Sequence, residues 1–111
     1  MAGKIVIIIS TSDREKARTA AMYAKNALLQ GWMEEVKIFF FGPAQKLLLE
    51  DVELQKFVAE VSALEEIPIA CEFISERDGN SMHLEEIGVE VEPVGHRISE
   101  YINDGFVPMV W

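Results

Sequence analysis

The sequence predicts an α/β domain, a three-layer α/β/α sandwich with a mainly parallel five-stranded sheet. Two apolar runs, KIVIII at residues 4–9 and VKIFFF at residues 36–41, lack the alternation of polar and apolar residues that marks a half-exposed strand. Such runs are typical of strands that helices cover on both faces. Segments with helical spacing of apolar residues separate the runs, and this order of strands and helices favours a parallel sheet between helical layers.

The first helix is predicted directly after the first strand. Ser12 and Glu15 have the spacing of a capping box, so we expect the helix to begin at Asp13. Gly31 is a natural C-terminal stop. The predicted inner face is small enough for close approach to a sheet and consists of Ala17, Ala20, Ala21, Ala24, Ala27 and Leu28.

The second strand, residues 36–41, is expected to end at Gly42 and Pro43, and proline suits the first turn of the helix that follows. Successive helical residues lie about 100° apart, so the three leucines at 47–49 cannot all face one sheet. We expect at least one of them to face a neighbour or another subunit. Asp51 is expected to cap a further helix, whose apolar stripe is Leu54, Phe57, Val58, Val61 and Leu64.

The second half of the chain continues the alternation. The turn signal Asp78-Gly79-Asn80 separates two short helical pieces, and alternation of valine with glutamate before Pro93 predicts a short, half-exposed strand. The expected elements are a third strand at residues 67–71, helices at 72–77 and 81–87, a fourth strand at 89–92, a last helix at 95–103 and a final strand at 106–111.

Composition predicts one soluble globular domain over residues 1–111, because the chain is 50% hydrophobic and 26% charged. The formal charge of −9 argues against a nucleic-acid partner, which would require clustered cations. No apolar run approaches the roughly 18 residues of a membrane span, so we expect no membrane association and a cytoplasmic location. A mean hydropathy of +0.12 is high for so acidic a chain and favours a homo-oligomer.

The turns between strands and helices carry no glycine-rich phosphate loop, so nucleotide binding of the Rossmann or P-loop kind has no support. Ser10, Thr11 and Ser12 follow the first strand, and their hydroxyls together with helix amides could hold a small anion or a flavin phosphate. Helix capping alone also explains these residues. We expect no resident cofactor.

Cys71 is the only cysteine, and it ends the predicted third strand. The carboxyl ends of parallel strands border the crevice where α/β proteins meet ligands, and amides at the start of a following helix would stabilise a thiolate. Acidic residues surround Cys71 in the sequence, with Arg77 as the only local cation, and they would oppose thiolate formation. The competing interpretation is that Cys71 is a small buried hydrophobic residue.

The two histidines, His83 and His96, have no second ligand type at suitable spacing, so we expect no metal site. His96 follows Gly95 at the start of the predicted last helix and could lie at the same sheet edge as Cys71. The simpler interpretation is that His96 is a solvated first-turn residue.

Four segments that together span nearly the whole chain are KIVIIISTSDREKARTAAMYAKNALLQG, VKIFFFGPAQKLL, ACEFISERDG and VEVEPVGHRISEYINDGFVPMVW. These segments resemble the DsrE/DsrF-like superfamily of small cytoplasmic α/β proteins, which includes the sulfur-relay subunits DsrE and TusD. In the relay members a cysteine that closes the third strand is followed by arginine and glycine, and Cys71, Arg77 and Gly79 keep that spacing. The relay subunits usually have small apolar residues directly after this cysteine, where this chain has Glu72, Phe73 and Ile74.

The resemblance implies a trimer or hexamer in which Cys71 accepts a sulfane sulfur as a persulfide and transfers it to a partner thiol. Two hypotheses therefore stand. The first is an intracellular persulfide carrier that works with a sulfur donor or acceptor protein. The second is a non-catalytic oligomeric module of the same fold that binds a small ligand or a protein, with Cys71 buried. The accessibility of the Cys71 thiol in the native state distinguishes them.

Overall fold

The computed structural model describes residues 3–111 as five strands and six helices. The strands are β1 (Lys4–Ile9), β2 (Glu35–Phe40), β3 (Ile69–Cys71), β4 (Glu90–Glu92) and β5 (Val107–Val110). The helices are α1 (Arg14–Leu29), α2 (Ala44–Glu50), α3 (Val52–Ala63), α4 (Glu72–Asp78), α5 (Ser81–Ile87) and α6 (Val94–Asn103). No helix among the described residues is long and apolar enough to cross a membrane.

The five strands form one sheet in the order β4-β3-β2-β1-β5, and every neighbouring pair is parallel. The first four strands follow one another across the sheet. Helix α6 then returns the chain across the sheet and brings β5 beside β1. All strand carboxyl ends therefore meet at one edge of the sheet, where α/β proteins commonly bind ligands.

Helices cover both faces of the sheet, so the predicted three-layer α/β/α architecture is confirmed. One face carries the larger core, in which Ile5, Ile7 and Ile9 of β1 pack with the alanine-rich side of α1 and with α2, α3 and α5. The opposite face carries a smaller core, which includes Val6 and Ile8 of β1 and the inner residues of α6. Because β1 is buried on both faces, its sequence shows no alternation.

The sequence was wrong about the residue that caps α1. Asp13, rather than Ser12, is the N-cap, and its Oδ1 accepts a hydrogen bond from the Lys16 amide at 3.0 Å. The Asp13 amide donates in turn to Thr11 Oγ1 at 3.0 Å. Aspartate caps as well as serine does, so the chain uses the carboxylate one residue further on, and the expected Ser12–Glu15 box does not form.

Strand β3 is shorter than predicted, because Ile67 and Pro68 precede it. Pro68 has no N–H to donate, and its carbonyl accepts the first hydrogen bond, from the Glu90 amide at 3.0 Å. The other boundaries differ from prediction by one residue at most at each end. The leucines at 47–49 lie within the chain's own core region, with the first two buried and the third half-buried.

Candidate ligand-binding cleft

A cleft of about 500 Å³ opens where α2 and α4 flank the carboxyl edge of the sheet. One wall comes from the turn after β2 and from α2, and the other comes from α4. Clefts of this size fall within the range that small-molecule ligands occupy. The lining residues are Ser12, Gly42, Pro43, Lys46, Leu47, Glu50, Ile74, Arg77 and Asp78.

Two cations from different helices stand at this cleft. Lys46 of α2 and Arg77 of α4 flank the carboxylate of Asp78, with Lys46 Nζ 4.0 Å from Oδ2 and Arg77 Nε 3.3 Å from Oδ1. The Asp78 side chain is only 13% exposed, whereas those of Lys46 and Arg77 are 65% and 64% exposed. Asp78 therefore holds two solvated cationic groups near the cleft, and they are available to an anionic ligand.

The turn between β2 and α2 is attached to the end of β3 by a buried amide. The Gln45 side chain is fully buried, and its Oε1 accepts from the Gly42 amide at 3.0 Å. Its Nε2 donates to the Cys71 carbonyl at 3.1 Å. Since Cys71 is also the N-cap of α4, one side chain connects the two walls of the cleft.

Of the three hydroxyl residues predicted as an anion site, only Ser12 lines the cleft. The amides of Ser10 and Thr11 donate to the Trp111 carbonyl at 2.7 Å and 3.1 Å, and the Thr11 hydroxyl accepts from Asp13. These two amides are committed to joining β1 to the end of β5. The structure thus brings together two of the expected residues, Ser12 and Arg77.

Cys71 lies at the strand end where it was expected, but the residue is only 6% exposed and is not part of the cleft lining. It belongs to the smaller core beneath α6. Its companions there are Val6, Ile8, Phe39, Ile69, Val94, Ile98 and Phe106. On the neighbouring strand Cys71 pairs with Glu92, whose Oε1 accepts from Arg97 Nη1 at 2.6 Å. The thiol is therefore enclosed by apolar side chains, with an ion pair on the adjacent strand.

His96 does not join the cleft. Its side chain is 78% exposed on α6, and Nε2 lies 3.3 Å from Oε1 of Glu100, one helical turn further on. The structure agrees with the simpler interpretation of a solvated first-turn residue. Within residues 3–111, no group of three or more histidine, cysteine or acidic side chains is arranged to hold a metal ion.

The fold has a counterpart among solved structures. No protein-family model and no curated protein sequence matches the chain. The chain is similar in structure to a conserved protein of unknown function from Bacteroides thetaiotaomicron, with a TM-score of 0.84 and 24% sequence identity. The likeness covers 97% of this chain and 95% of that one, and it supports the α/β/α architecture. The resemblance to the DsrE/DsrF-like superfamily stays a prediction.

Sequence reasoning missed the residues that give the cleft its charge and its shape. Lys46 and Asp78 were not predicted as site residues, because only the sheet topology brings α2 and α4 to the same cleft. Gln45 carried one usable signal. It is a polar residue two positions before an apolar triplet, and a buried glutamine must hydrogen-bond to something.

A second cluster of polar side chains lies under α6, around a cavity of about 80 Å³. Lys37 Nζ is 3.4 Å from Oε1 of Glu66 and stands over the Tyr101 ring, 5.9 Å from its centroid. Burial raises the pKa of Glu66 despite the nearby Lys37 ammonium. The pKa of Glu90, which also lines the cavity, is raised chiefly by its hydrogen bond with Glu92. These carboxyl groups hold protons more strongly than a solvated glutamate does.

Proposed function

We propose that the protein is a binding module for a small ligand that has one anionic group and an apolar body. The single observation that carries the proposal is the cleft at the carboxyl edge of the sheet, where Lys46 and Arg77 face a shared space from two helices. The burial of Cys71 supports this second hypothesis of the sequence over the persulfide carrier.

The charge arrangement supports an anionic group on the ligand. Lys46 and Arg77 share the Asp78 carboxylate, and their side chains stay 65% and 64% exposed, so both keep N–H groups that can donate to an anionic group of a ligand. Arginine is suited to carboxylate and phosphate because its planar fork can donate two parallel hydrogen bonds. Glu50 also lines the cleft. Its carboxylate disfavours a highly charged anion and offers an acceptor to a hydroxyl or amino group.

The remaining lining supports an apolar ligand body. Leu47 is buried and Ile74 is half-buried, and both border the space between the cations. Apolar surface with a few polar groups is the usual composition of a small-molecule site. The apolar part would contribute affinity, and the cations would set the ligand's orientation.

Phenyl phosphate is a suitable probe, because it combines one phosphate with a compact apolar ring. We expect it to bind in isothermal titration calorimetry more tightly than inorganic phosphate, which lacks the apolar ring, or phenol, which lacks the phosphate.

Arg77→Gln and Lys46→Gln should each weaken binding of phenyl phosphate about tenfold, the effect of losing one charge-assisted hydrogen bond. The matched controls, Arg14→Gln and Lys56→Gln, change exposed cations outside the cleft lining. Equal affinity of all four variants, or no binding by the wild type, would overturn the proposal.

The persulfide carrier is the second candidate, and one observation favours it. Cys71 occupies the N-cap position of α4, and its side chain makes no capping hydrogen bond. In the carrier reaction the Cys71 thiolate attacks the outer sulfur of a donor persulfide. The new S–S bond leaves a persulfide on Cys71, and the donor departs as a thiolate, so no oxidant is consumed.

Mass spectrometry of the intact native protein after exposure to glutathione persulfide tests the carrier. A gain of about 32 daltons per transferred sulfur, absent in Cys71→Ser, would support it. Absence of that gain, together with thiol labelling that requires denaturation, would reject it. Measured without any cleft ligand, the mass gain and the labelling together decide between the two candidates.

We also propose that the module is a cytoplasmic homo-oligomer, either a trimer or a hexamer. Exposed apolar side chains support association, among them Phe73, Met82, Val107 and Val110. After the edge strand β5 the Trp111 amide donates to the Ile8 carbonyl of β1. Backbone N–H groups alternate in direction along a strand, so the nitrogen of Pro108 faces away from β1, towards the open edge, and carries no hydrogen to donate there. That proline opposes simple extension of the sheet from one copy to the next. Native mass spectrometry tests the assembly, and a monomer at micromolar concentration would contradict it.

A further inference from the structure

Gln45 is a buried polar residue in the first turn of α2, and both ends of its side-chain amide are hydrogen-bonded. Its oxygen accepts from the Gly42 amide, and its nitrogen donates to the Cys71 carbonyl. A buried amide that loses such partners leaves polar groups unsatisfied, at a cost of about 1–3 kcal/mol. An apolar side chain of the same size could fill the space but could make neither bond.

The two partners of Gln45 belong to opposite walls of the cleft. Gly42 lines one wall itself. Cys71 is the N-cap of α4, and α4 supplies Ile74 and Arg77 to the other wall. The Gln45 amide therefore links the turn that forms one wall to the start of the helix that forms the other.

We propose that Gln45 is a positioning residue that couples occupation of the cleft to the accessibility of the Cys71 thiol. The coupling rests on the proposed ligand-binding function, whereas the positioning role does not. Through this coupling a ligand in the cleft would control the exposure of the Cys71 thiol.

The path between the two sites is short. Cys71 directly precedes α4, and its side chain packs with Phe39 and Ile98 in the core beneath α6. Movement of the start of α4 away from that core is therefore one route by which a reagent reaches the sulfur. A ligand that contacts both Lys46 and Arg77 holds α4 against α2, and Gln45 holds the base of α4 to the same helix. Ligand binding should then suppress the opening that exposes the thiol. By thermodynamic linkage, modification of the thiol should weaken ligand binding equally.

The test measures the rate at which 5,5′-dithiobis(2-nitrobenzoate) labels Cys71 in the native protein, with and without phenyl phosphate. Gln45→Met keeps the side-chain length and removes both hydrogen bonds. We expect about tenfold faster labelling of this variant without ligand, since about 1.4 kcal/mol of local opening energy corresponds to tenfold. We also expect weaker protection by phenyl phosphate than in the wild type.

Gln55→Met is the matched control. Gln55 Nε2 also donates to backbone carbonyls, those of Leu48 and Leu49, but has no bond to Cys71. The labelling rate of Gln55→Met should change by no more than its change in the free energy of unfolding, measured in urea, accounts for. If Gln45→Met labels no faster than this control after the same correction, Gln45 is not a positioning residue.

Gln45→Glu gives a second readout that a merely structural role would not produce. A protonated carboxyl can still accept from Gly42 and donate to Cys71, whereas the ionised form has no proton to donate. The labelling rate relative to wild type should therefore rise with pH as the carboxyl ionises. A pH-independent ratio would contradict the assigned hydrogen bonds.

The two parts of the inference fail in different ways. If phenyl phosphate does not bind the wild type, the proposed function and the coupling are overturned, while the labelling of unliganded Gln45→Met still decides the positioning role. If phenyl phosphate binds and leaves the labelling rate unchanged, the binding function stands and the coupling is overturned.

Discussion

Gly42 approaches Ser10 so closely that a Cβ atom on residue 42 would lie 2.9 Å from the Ser10 hydroxyl oxygen. Gly42 also has a φ of +110°, a conformation that L-residues rarely adopt. Two independent requirements therefore favour glycine at this turn, which forms part of the cleft wall and donates to Gln45.

Gly42→Ala should lower the free energy of unfolding by about 2–4 kcal/mol, because it adds backbone strain to a steric clash. Removing the hydroxyl in Ser10→Ala should restore part of the loss in the double variant, since only the clash is relieved. Gly31→Ala is the control with strain alone, because Gly31 has φ +65° and open space around it. Urea unfolding measures all four proteins, and a Gly42→Ala cost no larger than that of Gly31→Ala would contradict the steric argument.

The start of α1 offers a paired test of the corrected cap. Asp13→Ala should cost about 1 kcal/mol, since it removes the acceptor of the Lys16 amide. Ser12→Ala should change the free energy of unfolding by less than about 0.5 kcal/mol, because surface substitutions away from such features have small effects. Thermal and urea unfolding of the two variants measure both values. The opposite order would restore the capping box that the sequence suggested.

The elements that could be predicted from the sequence carry local signals. The run at residues 4–9 became β1, and Asp51 caps α3 as expected, with its carboxylate accepting from the Glu53 amide. Gly79 ends α4 in a left-handed conformation at the predicted turn. In each case one short segment contains the physical cause of the structure.

The candidate site depended on information that no short segment contains. Cys71 and Ala70 are both buried but belong to different cores. In a strand that is covered on both faces, the sequence has no alternation to show which face a residue takes. Lys46 and Arg77 border one cleft only because of the order of strands β2 and β3 in the sheet. The location of Cys71 at the end of a strand was therefore predictable, and burial was one of its two interpretations, but the face of the sheet on which it is buried was not.

The Asp51 carboxylate, like the Gln45 amide, is a buried polar group with several hydrogen-bond partners. Its side chain is 2% exposed, and it accepts from Arg18 Nε at 2.9 Å and Nη2 at 2.6 Å. The Arg18 guanidinium lowers the pKa of Asp51, chiefly through these hydrogen bonds. Asp51→Ala should cost about 2–3 kcal/mol at pH 7, because a helix cap and a bidentate ion pair disappear together.

The lowered pKa of Asp51 also gives an acid-stability prediction with a defined sign. The ion pair contributes its stability above the ordinary aspartate pKa of about 3.9, and that stability is lost as pH falls through the lowered value. Arg18→Gln should therefore unfold at higher pH than wild type in an acid titration followed by circular dichroism. Lys25→Gln breaks the more exposed pair with Glu60 and should shift the midpoint less. Equal shifts would contradict a special role for the Arg18–Asp51 pair, in which only the carboxylate is buried.

Glu66 should produce the opposite pH dependence. Its pKa is raised, chiefly by burial, so the folded chain binds its proton more tightly than the unfolded chain does. Stability should therefore fall as pH rises from the ordinary glutamate pKa of about 4.3 through the raised value, and should stay lower above it. Glu66→Gln removes this fall, so the stability of the variant relative to wild type should increase over that interval.

The difference between two pH values isolates the titration of Glu66 from the other effects of its substitution. Glu66→Gln also removes a carboxylate near Lys37, and this loss affects the free energy of unfolding at any one pH. The amide of the variant does not titrate, so a change in relative stability between two pH values reports the titration of Glu66. Urea unfolding at pH 4 and pH 7 measures the difference, with the exposed Glu85→Gln as control. A relative stability of Glu66→Gln that stays constant, or falls, between the two pH values would show that the Lys37 ion pair outweighs burial at this carboxyl.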